Sequence, residues 1–157
     1  MKACVLILDG DRWHRETLAA ALAYEGCHAE HTGDAASAMA LLARHRFHLV
    51  LLDPSAPATG GWKTVERLLL LKPDLPLIVF ASDEGHPRSI PLTRANGIIP
   101  KPINFFTLLS AIGHALSTPA NAPVSHGSER VPPDPALLPG RVRLPRPVDL
   151  PPSSRTH

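Results

Sequence analysis

Three short apolar runs, each closed at once by a polar or acidic segment, constrain this chain more than any other feature. They are Cys4–Leu8 before Asp9, residues 47–52 before Asp53, and residues 77–80 before Ala81, Ser82 and Asp83. Runs this short, with no polar–apolar alternation, read as strands buried on both faces. Two weaker runs, residues 27–32 and Gly97–Pro100, bring the expected strands to five.

Helical patterns lie between the runs. Arg12–Tyr24 sets Thr17, Leu18, Ala21 and Leu22 along one stripe, and Ala35–Arg44 repeats the spacing with Ala38, Met39 and Leu42. Residues 62–71 carry Val65, Leu68 and Leu69. Residues 104–116 carry Phe105, Leu108, Leu109, Ile112 and Leu116, with Asn104 suited to an N-cap. A further helix over residues 84–95 would hold Pro87 and Pro91, and an interior proline removes a backbone hydrogen bond, so a short or kinked segment is expected there. Strands alternating with helices predict an α/β fold, a doubly wound five-stranded parallel sheet with flanking helices.

Composition sets the outer bounds. Ten of the 18 prolines fall after Ser117, where aromatics are absent, so residues 1–117 are expected to form one domain and 118–157 a disordered Pro-rich tail. Removing that tail should leave thermal stability nearly unchanged. The net charge of +2 does not call for direct nucleic-acid binding. No stretch reaches the ~20 apolar residues of a membrane span, and Asp9 ends the first apolar run before a signal-peptide core could form. With two cysteines, Cys4 and Cys27, expected as buried reduced thiols, a cytoplasmic location follows.

In a doubly wound sheet, ligands gather at the carboxyl ends of the strands. Those ends carry Asp9, Gly10 and Asp11; then Asp53; then Ala81, Ser82 and Asp83; and finally Lys101. Carboxylates from neighbouring strands suit a hard divalent cation, and a lysine on the rim suits a phosphoryl group or a carboxylate. A single aspartate at a strand end carries little meaning, because polar residues must begin there. The nine histidines show no compact metal spacing: His28 and His31 face opposite sides of a strand, and His45 and His48 straddle a helix end. Trp13 and Trp62 lie close to the acidic loops, where packing is the plainer role.

From Cys4 to about Leu116 the chain resembles the receiver domain of bacterial response regulators. Residues 5–11 (VLILDGD) resemble its acidic-pair segment and residues 49–53 (LVLLD) its phosphoacceptor strand. Pro57 and Gly61 follow Asp53 by four and eight residues, residues 76–80 (PLIVF) resemble the fourth strand, and residues 99–102 (IPKP) the lysine motif. The resemblance implies the flavodoxin-like strand order 2-1-3-4-5, with Asp53 accepting a phosphoryl group and Lys101 pairing with it. It implies Mg²⁺ bridging Asp53, the acidic pair and the backbone carbonyl of Ser55, and a cis Lys101–Pro102 bond. A sensor histidine kinase or phosphotransfer protein would supply the phosphoryl group, and a downstream protein would read it.

Several positions depart from that pattern. The second acid is Gly10; Asp9 matches the first, and Asp11 stands one residue beyond. A missing carboxylate predicts weak Mg²⁺ binding. The hydroxyl position after the fourth strand is Ala81, with Ser82 next, and the aromatic switch position is Ile98. The expected function is therefore a stand-alone receiver protein in phosphorelay signalling, not an enzyme, with a partly degenerate metal and switch site. A phosphorylation-independent pseudo-receiver interaction module is the second reading. A haloacid-dehalogenase-like phosphatase using Asp9 in a D-x-D motif is a third, and it lacks an acidic pair after Lys101.

Overall fold

Successive side chains of a strand point to opposite faces, so a strand apolar at every position needs cover on both sides. The computed structural model, which describes residues 2–81, 87, 90 and 94–118, supplies that cover. Five parallel strands are β1 (Cys4–Leu8), β2 (His28–Thr32), β3 (Leu49–Leu52), β4 (Leu77–Ala81) and β5 (Gly97–Pro100). They lie in the order β2-β1-β3-β4-β5, as the resemblance implies. The described helices are α1 (Arg12–Tyr24), α2 (Ala35–Arg44), α3 (Gly61–Leu71) and α4 (Phe105–Ser117), with a 3-10 turn at Pro57–Thr59 before α3.

The alternation divides the core cleanly. Leu6 and Leu8 of β1, Val50 and Leu52 of β3, and Leu77 and Val79 of β4 pack with Ala38 and Leu42 of α2 and Val65, Leu68 and Leu69 of α3. Val5, Ile7, Leu49, Leu51, Ile78 and Phe80 pack on the other face with Leu18 and Leu22 of α1 and Leu108, Ile112 and Ala115 of α4. Two expected stripe members stay outside, since Thr17 is exposed and Leu116 is 38% exposed. The Thr17 hydroxyl instead donates to the Trp13 carbonyl, one turn back.

Local signals set the helix starts. Asp11, Asp34 and Asn104 each accept from the backbone N–H three residues on, satisfying an orphan donor. The approach to α3 uses Gly60 and Gly61, whose φ values of 78° and 61° are left-handed and suit glycine. Cys4 and Cys27 are free, but half-buried rather than fully buried, and Cys27 precedes β2 instead of opening it. Burial, with the nearby charge of Glu30 second, raises the Cys4 thiol above its ordinary pKa. The expected helix over residues 84–95 and the tail beyond 118 fall almost wholly outside the described residues; Ile90 and Ala95 are buried against the α2–α3 face.

Candidate functional site

The register of the sheet brings the first two aspartates together. Leu8 of β1 stands opposite Leu52 of β3, and the Asp53 N–H donates to the Leu8 carbonyl at 2.9 Å, so Asp9 and Asp53 leave adjacent strands side by side. Both are buried, with exposures of 1% and 3%. Ionised carboxylates at that depth need partners, and the two find theirs in different ways.

Asp53 is held from across the sheet. The Lys101 ammonium donates to Asp53 Oδ2 and, at 3.1 Å, to Ser55 Oγ. The Ser55 backbone N–H donates to Asp53 Oδ1 at 2.8 Å. The Lys101–Pro102 bond is cis, and the Lys101 N–H donates to the Ala81 carbonyl at the end of β4. Burial works to raise the Asp53 carboxyl's pKa. The hydrogen bonds from Lys101 and Ser55, with the charge of Lys101, outweigh it and hold the group below the ordinary carboxylate value.

Asp9 is held from nearby. The Asp11 N–H donates to Asp9 Oδ1 at 2.8 Å, and the His14 imidazole bonds Asp9 Oδ2 through Nδ1. His14 sits in the first turn of α1, its ring 6.0 Å from that of Phe80 in an edge contact. Arg15 donates to the Asp9 carbonyl at 3.2 Å and so braces the same loop. Asp9, Asp53 and Lys101 line one hollow of about 550 Å³ with Asp11, Trp13, His14 and Ser55. Trp62, across the sheet, packs against the α2–α3 core. A second hollow of about 670 Å³, lined by Arg44, Arg46, His48 and Lys72 among others, contains none of these carboxylates.

The remaining candidates take other places. Asp11 caps α1, its side chain accepting the His14 N–H at 3.1 Å. Ala81 ends β4 with a methyl group, which offers no hydrogen bond, and Ser82 lies outside the described residues. Ile98 is 44% exposed on β5. A Cβ at Gly10 would meet the Ala56 Cβ at 2.2 Å, so the space for a second acidic side chain is already filled.

Among the described residues, Asp9, His14 and Asp53 form a group whose ligand atoms all lie within 4.8 Å of one another. Sequence reasoning missed His14. The signal was present: an aspartate N-cap at position 11 places residue 14 in the first helical turn, able to reach back toward the strand end. Magnesium favours oxygen ligands in near-ideal octahedral geometry. This donor set does not match it, because one of its three donors is an imidazole and the second acid position is closed.

Residues 5–113 match the family described as response regulator receiver domain. The response regulator MprA of Mycobacterium sp. (strain KMS) is 32% identical over 112 residues, 70% of this chain and 49% of MprA. The DNA-binding transcriptional regulator NtrC of Rhizobium meliloti (strain 1021) is 28% identical over 123 residues, 77% of this chain and 25% of NtrC. The chain thus spans between about a quarter and a half of these relatives' lengths. Among solved structures, a CheY-like receiver domain protein of Methanospirillum hungatei JF-1 superposes with a TM-score of 0.65 at 26% identity, covering 74% of this chain and 94% of that one. The chemotaxis regulator CheY4 of Vibrio cholerae shares the fold, with a TM-score of 0.63 at 24% identity over 74% of this chain and all of CheY4. Receiver domains typically hold Mg²⁺ at acidic residues, and this chain keeps the acidic cluster of Asp9 and Asp53. With its sheet order, its paired strand-end carboxylates and its match over residues 5–113, the chain belongs to the response regulator receiver domain family.

Proposed function

We propose that this chain is a phosphoryl acceptor in phosphorelay signalling, with Asp53 as the acceptor and Lys101 as its electrostatic partner. One observation carries the reading: a buried carboxylate at the sheet's carboxyl end, held ionised by a lysine ammonium and lining an open hollow. An Asp53 oxygen attacks phosphorus in line, an O–P bond forms, and the donor's P–N or P–O bond breaks with its electron pair leaving on the donor. Lys101 then turns from the carboxylate to a phosphoryl oxygen, compensating charge where it develops. The donor is a sensor histidine kinase or phosphotransfer protein, the reader a downstream protein, and the setting cytoplasmic. The chain accepts the group without a turnover of its own.

A phosphorylation-independent interaction module is favoured by two observations: Ala56 fills the space beside Gly10, and Ala81 has no hydroxyl. Labelling separates the readings. Acetyl phosphate or phosphoramidate with Mg²⁺ should label Asp53 slowly and Asp53→Ala not at all. Fast labelling at ordinary Mg²⁺ would remove the degenerate-site reading. Labelling by no donor would leave the interaction module, and phosphatase turnover dependent on Asp9 would replace both.

A further inference from the structure

We propose that Asp9, His14 and Asp53 form a mixed nitrogen–oxygen site for a borderline divalent cation, Zn²⁺ in particular, in place of an all-oxygen magnesium site. The inference takes the pocket of the proposed function as its setting. It concerns the ion the pocket selects and not the transfer itself.

Three observations converge. The two aspartates and His14 bring their ligand atoms within 4.8 Å of one another, from two strand ends and the first turn of a helix. No second acidic side chain contributes from position 10, which is glycine, and an added Cβ there would meet the Ala56 Cβ at 2.2 Å. The donor beside Asp9 is an imidazole nitrogen, which a borderline ion accepts more readily than magnesium does.

Chemistry then selects the ion. Zn²⁺ accepts imidazole nitrogen and carboxylate oxygen together at about 2.0–2.2 Å in a four-coordinate shell. Affinity for imidazole-containing sites rises toward the end of the first transition row, whereas magnesium parts reluctantly with its waters and favours carboxylates and phosphates. Ligands on one tetrahedral ion lie roughly 3.3 Å apart at those bond lengths. The hydrogen-bonded His14 and Asp9 groups therefore open to admit the ion, exchanging their mutual bond for two bonds to it, while Asp53 lies within reach of the same point. A fourth position is left for water. Trp13 lines the same hollow and reports on it.

The test uses the full chain with no phosphoryl donor. Zn²⁺ and Mg²⁺ are titrated separately by calorimetry and tryptophan fluorescence, and Co²⁺ serves as a spectroscopic stand-in for Zn²⁺. The chain has nine histidines, so variants assign the site. His14→Ala and Asp53→Asn should each weaken Zn²⁺ binding by at least about tenfold, and His14→Ala should alter the visible Co²⁺ spectrum. His31→Ala, an exposed position on β2, should change neither. Mg²⁺ should bind more weakly than Zn²⁺ and equally in wild type and His14→Ala. Equal Zn²⁺ affinity in wild type and His14→Ala would overturn the proposal, as would Mg²⁺ binding as tight as Zn²⁺. Circular dichroism of each variant identifies any loss through unfolding; if His14→Ala unfolds, the Zn²⁺-induced shift of the His14 imidazole resonances in the wild type decides instead, and its absence also overturns the proposal. A chain that binds Zn²⁺ at these residues but is never labelled at Asp53 keeps this inference and loses the phosphoacceptor. Labelling without Zn²⁺ binding does the reverse.

Discussion

Asp9 and Asp53 are two buried carboxylates at the ends of neighbouring strands, and the chain stabilises them by opposite strategies. Asp53 takes its partner from Lys101, 48 residues away on the far side of β4. Asp9 takes its partner from His14, only five residues on. The distant partner is a flexible ammonium that can leave the carboxylate for an incoming anion. The near partner is a rigid ring on a helix whose own start is capped by Asp11. One side of the hollow is thus tied across the sheet and the other within a single strand-to-helix connection.

The largest effect that would break this contrast is expected at Lys101. Lys101→Met leaves Asp53 buried without its cation and should destabilise the fold by about 2–4 kcal/mol at pH 7 by denaturant unfolding, below the ~3–5 kcal/mol of a fully buried pair because Lys101 is 31% exposed. A loss below about 1 kcal/mol would mean that water already compensates Asp53. The pH dependence checks the same pair. The folded-state pKa of Asp53 lies below its unfolded value. Its stabilising contribution is therefore complete above the ordinary carboxylate pKa of about 3.9 and is lost as pH falls through the lower folded value. The gap between wild type and Lys101→Met should narrow across that acid window; a constant gap would assign the effect to packing.

The next effect falls beside Asp9. Gly10→Ala forces a methyl group against Ala56 and should cost about 1–3 kcal/mol. Adding Ala56→Gly should recover most of it, and a double-mutant cycle reads the coupling. Additive losses would show that the loop relaxes without involving Ala56. His14→Ala removes one hydrogen bond to a buried carboxylate that keeps the Asp11 N–H. The expected loss is about 1–2 kcal/mol, below that at Lys101. A larger loss than Lys101→Met would reverse the ranking of the two sides.

The smallest effect sharpens the role of Asp11. Asp11→Ala should cost about 1 kcal/mol through its helix cap and leave divalent-cation affinity unchanged. A matching fall in affinity would make Asp11 a ligand.

Most of the architecture was legible because its signals are local. Strands β1, β3 and β4 are apolar throughout, since both faces of the sheet are covered, and the helices show their buried stripes at helical spacing. Thr17 and Leu116 were misplaced because a stripe's edge depends on how the neighbouring helix lies, which periodicity does not carry. Lys101 was legible as a motif at a strand end. Its bond to Ser55 as well as Asp53 was not, because side chains from different loops meet only after folding. Gly10 read in sequence as a lost ligand. In the structure its space is already taken by Ala56, a residue the sequence did not single out.

The sequence by itself determined the five-stranded α/β sheet and the two aspartates and lysine at its carboxyl edge. Apolar run length and helical spacing are properties of contiguous residues, and the resemblance supplied the strand order. Only the tertiary structure decided what surrounds those charges. The parallel register set Asp9 beside Asp53, the first turn of α1 brought His14 onto Asp9, and the loop after β3 put Ala56 against Gly10. Contacts between segments depend on register and packing, which no single stretch of residues encodes.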